Sequence, residues 1–267
     1  MKTLNYSSIS TAVTLGLASI SGLASISAHA DVLEVIEVTA QKRTQSVQEV
    51  GISITAFSGE QLDALGYDNA QEVTAMAPGV TAIQPNGPSA FYINIRGVAQ
   101  NDFSGDHQES PVAVYLDEAY ISASSGAGFQ LFDIERVEIL KGPQGTLFGR
   151  NATGGLVHYI SRKPTDTFEG YGKVTLGSYN QILTEGAIGG ALTDTLFSRF
   201  SFTTNNHDPY INNTLGKDLN NGDDWAARLQ FLLEVTDDVE WLISARSGKQ
   251  DIDSGFFEHS SARLNPE

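Results

Sequence analysis

The most constraining feature of this sequence is the alternation of polar and apolar side chains beyond Pro164. Within residues 227–235 a polar-biased set alternates with an apolar set, and similar alternation recurs at 171–176, 184–192, 196–203 and 240–247. Successive side chains of a β-strand point to opposite faces, so the pattern predicts about five strands with one polar-biased and one apolar face each.

The connections between these predicted strands differ in length in an ordered way. Short connections lie at 178–180, 193–195 and 236–238, whereas the connection at 205–222 is long. Outer-membrane β-barrels have short turns on the periplasmic side and longer loops outside. If the first predicted strand runs outward from the periplasm, the long connection at 205–222 falls outside, as this rule requires. An ordinary antiparallel sandwich gives similar alternation and is the alternative.

Residues 1–30 have the features of a secretory signal peptide. Lys2 precedes an apolar, serine-punctuated stretch at 9–26, and Ala28-His29-Ala30 gives a small-x-small cleavage signature before Asp31. A buried helix or a membrane anchor is the alternative. No later segment has ~18 uninterrupted apolar residues, so a mature protein in a membrane would have to cross it with strands.

The middle of the chain predicts a compact α+β domain. Ser58 and Gln61 form a capping box for one helix, with Gly66 suited to its end, and Asp68 is placed to cap a second helix. Strand candidates lie before, between and after these helices, at 52–57, 80–84, 91–96, 112–116, 137–140 and 156–160.

Charge and composition exclude several functional classes. A net charge of −16 disfavours nucleic-acid binding, and the absence of cysteine rules out disulfides and thiolate metal sites. The five histidines form no His-x-x-x-His motif, and the glycine-rich stretch at 142–155 lacks the ending of a P-loop and the spacing of a dinucleotide fingerprint. The sequence therefore predicts no enzyme activity, no cofactor, no metal site and no nucleic-acid partner.

A specific resemblance begins at residues 132–155, FDIERVEILKGPQGTLFGRNATGG, followed by His158-Tyr-Ile160. This segment closely resembles the plug of TonB-dependent outer-membrane receptors, with support from Asn94-Ile-Arg-Gly97 and Val112-Ala-Val-Tyr-Leu-Asp117. The resemblance implies an α+β plug domain followed by antiparallel β-strands of an incomplete transmembrane β-barrel. It divides the chain into a signal peptide (1–30), a TonB box with N-terminal extension (31–50), a plug (51–163) and the first barrel strands (164–267).

The resemblance also implies binding residues. The run at 31–40 is β-prone and could form either an edge strand added to a partner's sheet or a plain first strand of the domain. By similarity, the TonB-binding residues are Glu34, Val35, Ile36, Glu37, Val38, Thr39 and Ala40. Basic plug residues that would face the barrel lumen and pair with barrel carboxylates are Arg96, Arg136, Lys141 and Arg150. Val137, Ile139 and Leu147 are expected in the plug core.

Residues of two predominantly polar plug loops, at 84–88 and 99–110, are candidates for binding the ligand, although plain solvated loops would have the same composition. These candidates are Gln84, Asn101, Asp102, Phe103, Asp106, His107 and Glu109.

The function implied by the resemblance is uptake of a bulky ligand across the outer membrane, driven by contact with TonB. The expected partners are TonB, outer-membrane lipid and a ferric siderophore, with carbohydrate or cobalamin as other cargo. A truncated, non-transporting fragment and a secreted binding module are the alternatives. Because about five strands cannot close a plugged barrel of about 22, we expect this chain alone not to transport.

Overall fold

The structure, a computed structural model, describes residues 36–67, 69–84, 91–100, 109–122, 129–214, 216–236 and 238–253. The predicted signal peptide, together with Glu34 and Val35, lies outside the described residues. The domain boundaries inferred from the sequence stay predictions.

Residues 36–161 form a mixed region, here called the α/β region. Its elements are β1 (Glu37–Val38), β2 (Gln45–Ser46), β3 (Ile54–Ser58), α1 (Gly59–Leu65), α2 (Ala70–Ala75), β4 (Val80–Ile83), β5 (Tyr92–Ile95), β6 (Val112–Leu116), β7 (Ala119–Tyr120), β8 (Ile134–Lys141), α3 (Gly145–Phe148) and β9 (Gly155–Ser161). The central sheet has the strand order β3-β8-β9-β6-β7, in which β6 and β9 run parallel and the other neighbours antiparallel. Two further pairs, β1-β2 and β4-β5, lie outside it. The predicted α+β class is confirmed.

The helix ends follow local capping chemistry. The capping box predicted from Ser58 and Gln61 is present, and Gly66 ends α1 in the left-handed conformation. The prediction that Asp68 caps α2 is wrong. Asn69 has the extended backbone of a cap, and its Oδ1 accepts from the N–H groups of Gln71 and Glu72, both at 3.1 Å.

The core of the α/β region is built around β8 and β9. Val137 and Ile139 are fully buried, as predicted. Leu147 is 47% exposed, so its predicted core position is wrong: its neighbour Phe148 is the α3 side chain that turns into the core. Gly155 has φ +141, and a Cβ there would lie 2.3 Å from the carbonyl oxygen of Leu140. The close approach of β9 to β8 therefore requires glycine.

Residues 169–249 form a second, antiparallel sheet, here called the wall. Its strands are β10 (Glu169–Leu176), β11 (Ile182–Ala191), β12 (Leu196–His207), β13 (Gly222–Thr236) and β14 (Val239–Lys249), and each pairs with the next along the chain. The five predicted strands are confirmed. Among the described strands the sheet is not closed, and its inner face packs on the α/β region rather than on a second sheet. This arrangement fits a partial barrel and not a sandwich.

The wall is polar inside and apolar outside. Strand register places Arg199, Ser201, Arg228 and Gln230 on the inner face, where all are buried. Outward-facing positions within 170–176, 182–188, 198–204, 227–233 and 241–247 carry no charge, and most of their large apolar side chains are exposed, as in Ile243 at 62%. A surface of this kind is stable against lipid and costly in water.

The wall has two unlike ends. Connections at 192–195 and 237–238 join strands at one end, called the turn end, and those at 177–181 and 208–221 join strands at the other, called the loop end. The longest connection is at the loop end, as the predicted barrel orientation requires. None of the helices in the described ranges is long and apolar enough to span a membrane.

Candidate functional site

Residues 36–40, the described part of the predicted TonB-binding segment, are docked on the α/β region. Val38 is fully buried and Ala40 is 1% exposed. The backbone of β1 pairs with β2, matching Glu37 with Ser46 and Val38 with Gln45. Both the apolar side chains and the strand edge are therefore occupied by the chain's own residues.

A buried carboxylate holds this segment in place. Glu138 Oε1 accepts from the N–H and the hydroxyl of Thr39, at 2.8 and 3.3 Å, and from Arg136 Nε at 2.8 Å. Arg136 also donates to Thr39 Oγ1 at 3.1 Å. Glu138 has no exposed surface, and a charge so placed is tolerated because it is paired and hydrogen-bonded.

His158 lies opposite Glu138 across the β8–β9 ladder. Its Nε2 contacts the carbonyl oxygen of Asp117, while Nδ1 has no hydrogen-bond partner within the described part of the chain. Burial lowers the pKa of His158, and the Asp117 carbonyl offsets this only in part. The ring is therefore neutral near pH 7. It borders a cavity of about 480 Å³ that Thr39, Lys42 and Glu135 also line.

A buried ion cluster joins the α/β region to the wall. Arg199 binds both oxygens of Asp133, with Nε to Oδ2 at 2.7 Å and Nη2 to Oδ1 at 2.5 Å. Arg228 Nη2 reaches Oδ2 at 3.2 Å and the Asp133 carbonyl at 3.0 Å. The side chains of Asp133, Arg199 and Arg228 are 0%, 2% and 1% exposed. Glu169, 47% exposed, supplies a second carboxylate to Arg199 at 2.6 Å.

A third wall arginine contacts the same stretch of chain. The Arg246 guanidinium lies 4.8 Å from the ring centroid of Phe132 and 5.3 Å from that of Phe129, and it donates to the Gln130 carbonyl at 2.8 Å. From β11, Glu185 accepts from the Asp133 N–H at 2.8 Å. Residues 129–133 are thus the main attachment of the α/β region to the wall.

A polar cavity of about 220 Å³ lies at the loop end, between the α/β region and the wall. Eight of its fourteen lining residues are asparagine or glutamine, Gln71, Gln84 and Asn205 among them. His207 and Tyr210 line it too, with ring centroids 6.0 Å apart. This end faces the exterior if the wall is oriented as predicted.

The structure places the four predicted basic contacts within the α/β region. Arg96 donates to Ser53 Oγ at 2.7 Å, Arg150 pairs with Glu109 at 2.6 Å, and Arg136 pairs with Glu135 and Glu138. Burial, and then the charge of Arg96, lower the pKa of Lys141. Pairing of these residues with barrel carboxylates stays a prediction.

The predicted ligand residues are only partly described. Gln84 lines the loop-end cavity, whereas Glu109 is held by Arg150. Asn101, Asp102, Phe103, Asp106 and His107 lie outside the described residues, and their role stays a prediction.

Sequence reasoning missed Asp133, Glu138 and the wall arginines. The alternation placed Arg228 on the polar-biased face, and Asp133 and Glu138 lie in the FDIERVEI motif, so the signals were present. Sequence reasoning expected basic groups on the α/β region and acidic groups on the wall. Around Asp133 the carboxylate lies on the α/β region and the arginines lie on the wall, which is the reverse of this expectation.

Known proteins similar to this chain were found by sequence. Residues 46–156 match the family model described as TonB-dependent Receptor Plug Domain. The chain is 32% identical over 138 residues to the pesticin receptor of Yersinia enterocolitica and 32% identical over 181 residues to the iron-regulated outer membrane virulence protein of Vibrio cholerae. These alignments cover 51% and 64% of this chain, but only 20% and 26% of the relatives.

Solved structures with the same fold were also found. The ferric yersiniabactin uptake receptor FyuA from Yersinia pestis superimposes with a TM-score of 0.67 and 24% identity, covering 74% of this chain and 31% of that one. The pyoverdine receptor FpvA from Pseudomonas aeruginosa PAO1 gives 0.68 and 19%, covering 81% and 30%. At these identities the likeness concerns the fold.

Proposed function

Because the chain carries a TonB-dependent receptor plug domain at residues 46–156, followed by strands of a partial barrel-like sheet, we propose that it takes part in energy-coupled uptake of a bulky ligand across the outer membrane. The observation that carries the proposal is the docked segment at residues 36–40, whose edge and apolar side chains are covered by the plug. Proteins of this family are transporters and not enzymes.

In the proposed cycle, residues 34–40 bind TonB by adding a strand to its sheet. Such pairing needs a free strand edge, and in the docked state that edge is bonded to β2. The segment must therefore leave β2 and the Glu138 carboxylate before it can bind. A weakly docked segment would be exposed to TonB at all times. The paired, buried carboxylate of Glu138 keeps residues 36–40 covered until the plug changes conformation.

The two faces of the wall support the membrane placement that we propose. Its apolar outer face would contact outer-membrane lipid, with the turn end in the periplasm beside residues 36–40 and the loop end outside. Residues 1–30 would act as a cleaved signal peptide that exports the chain. The cargo we propose is a ferric siderophore, supported by the sequence relative named as the ferripyoverdine receptor of Pseudomonas aeruginosa.

The test uses two substitutions at Glu37, which is exposed in the docked segment. Glu37→Pro removes a backbone donor, whereas Glu37→Ala removes only the side chain and serves as the control. In the complete gene product, Glu37→Pro should weaken binding of the purified periplasmic domain of TonB by about tenfold, the scale of one to two lost hydrogen bonds. Glu37→Ala should stay near wild type.

Synthetic peptides of residues 34–40 with the same substitutions measure pairing without release from the plug. Equal TonB binding by the proline and alanine peptides would exclude strand addition through this segment. Loss in the peptide but not in the protein would mean that another part of the chain carries the contact.

A further inference from the structure

His158 and Glu138 face each other inside the α/β region, and each has one unpartnered atom. They are opposite residues of the β8–β9 ladder, so their side chains lie on the same face of the sheet. Glu138 Oε1 holds Thr39 and Arg136, but within the described part of the chain its Oε2 has no hydrogen-bond partner, and neither has His158 Nδ1. Both atoms are closed to solvent. Buried polar atoms without a partner are costly, and they are concentrated at sites that change state.

The contact of the other ring nitrogen fixes the tautomer of His158. Its Nε2 contacts the carbonyl oxygen of Asp117, which can only accept, so Nε2 carries the proton of the neutral ring. Nδ1 is then a bare acceptor, like the carboxylate oxygen opposite it. Two acceptors do not bond to each other, and water does not reach either of them. One proton on Nδ1 would turn the pair into a charge-assisted hydrogen bond.

Charged and titratable side chains surround His158 from β8, from β6 with its turn, and from the chain just after β1. They are Glu138 and Arg136 on β8, Tyr115 on β6, Asp117 and Glu118 in its turn, and Lys42 after β1. The cavity beside the ring is lined by four further charged residues, Glu37, Arg43, Glu135 and Lys163. Burial has the largest effect on the pKa of His158 and lowers it; the charges of Glu138 and Glu118 raise it, and that of Lys42 lowers it.

Release of residues 36–40 would change these surroundings in favour of a proton on His158. Thr39 and Lys42 line the cavity that the ring borders, so their departure opens the ring to water and removes a positive charge that opposes protonation. The Glu138 carboxylate, no longer bonded to Thr39, is then free to accept from the imidazolium. The released state therefore binds a proton more tightly than the docked state, and by linkage acid favours release.

We propose that His158 is a positioning residue for energy coupling: a proton on its Nδ1 draws the Glu138 carboxylate away from Thr39 and frees residues 36–40 for TonB as the pH falls. This control by His158 rests on the proposed function and adds a proton to its docking step.

The test follows the docked segment without TonB. The chain has no cysteine, so Glu37→Cys, at an exposed position beside the buried Val38, gives one site for a nitroxide spin label. The label is attached at a single pH, and its mobility is then recorded at pH 7.5, 6.5 and 5.5 in outer-membrane vesicles. The ratio of mobile to immobile label should rise about tenfold from pH 7.5 to 5.5, as for one proton bound only in the released state with the ordinary histidine pKa of about 6.5.

Two histidine substitutions separate His158 from a general effect of acid. His158→Gln has no proton to gain, so its label mobility should be independent of pH. The matched control His207→Gln, on β12, should keep the tenfold rise. A label at Glu60→Cys, exposed on α1, should show the same mobility at all three pH values, because the docked segment is released and the plug stays folded.

A ratio that does not change with pH in the protein that keeps His158 overturns the inference, whether or not His158→Gln folds. An equal rise in His158→Gln overturns it as well. TonB binding is measured in parallel on the protein and on the peptide of residues 34–40, and the ratio of the two affinities, which removes the effect of pH on TonB itself, should rise by up to about tenfold.

The two readouts separate this control from the proposed function. Label mobility independent of pH, with TonB binding still weakened by Glu37→Pro, would refute the control by His158 and leave the proposed function standing. Release by acid through His158 with no gain in TonB binding would contradict the proposed role of residues 34–40 and leave the control of docking standing.

Discussion

Replacing Asp133 with asparagine is expected to loosen the plug from the wall by about 3 kcal/mol. The substitution keeps the shape of the side chain but leaves Arg228 with no carboxylate among its described contacts and Arg199 with only Glu169. Removing one partner of a buried ion pair costs about 3–5 kcal/mol, because the remaining charge is buried without compensation. We take the lower value because asparagine still offers an oxygen and Glu169 still pairs with Arg199.

A free-energy loss of about 3 kcal/mol shifts the equilibrium between attached and detached plug by roughly a hundredfold. The chain has no cysteine, so one introduced thiol gives a unique reporter. Ser201 is fully buried on the inner face of the wall, and Ser201→Cys changes its size little. In outer-membrane vesicles, its labelling by a maleimide at increasing urea concentration reports detachment of the plug.

The matched control is Asp63→Asn. Asp63 also pairs across the interface, with Lys173 at 2.9 Å, but the two side chains are 57% and 38% exposed. An exposed pair contributes about 0–1 kcal/mol, so this change should barely move the labelling curve. Should both asparagine variants shift the urea midpoint equally, the buried cluster would not be the main attachment.

Two further results are expected. Burial lowers the pKa of His158, so below about pH 6.5 the unfolded chain binds a proton that the folded chain does not. The stability of the plug should therefore fall as the pH drops through that region, by up to about 1.4 kcal/mol per pH unit. Urea unfolding at pH 7.5, 6.5 and 5.5 should show a shallower pH dependence for His158→Gln than for the unsubstituted protein, and an equal dependence would rule out His158 as its source. Leu229 is 41% exposed at the centre of the outer face of the wall. Leu229→Arg should therefore destabilise insertion into lipid vesicles by about 2–4 kcal/mol, whereas the control Leu229→Met should insert normally. Equal insertion of the two variants would mean that this face does not contact lipid.

The sequence was sufficient where structure depends on near neighbours. The period-two alternation gave all five wall strands, because side-chain direction in a strand is fixed by position alone. The capping box at Ser58 depends on residues three apart. The second helix cap was misplaced by one residue because Asp68 and Asn69 have similar capping ability, and only the backbone conformation selects between them.

The candidate site was predicted less completely. The segment at 34–40 was predicted by resemblance as a TonB-binding segment. The attachment of its Thr39 to Glu138 joins residues 99 positions apart, and no local pattern encodes such a contact. Leu147 was misassigned because a one-turn helix leaves too short a pattern to show which side faces the core.

The sequence by itself determined two faces of opposite polarity on each wall strand, the turns between those strands and the glycine-rich motif of the plug. Tertiary structure decided which face turns inward and which charges meet there. Asp133 pairs with arginines 66 and 95 residues away, on β12 and β13, after both strands have taken their register in the wall. A buried charge is stable only where its partner arrives in the right geometry, and that geometry is a property of the assembled fold.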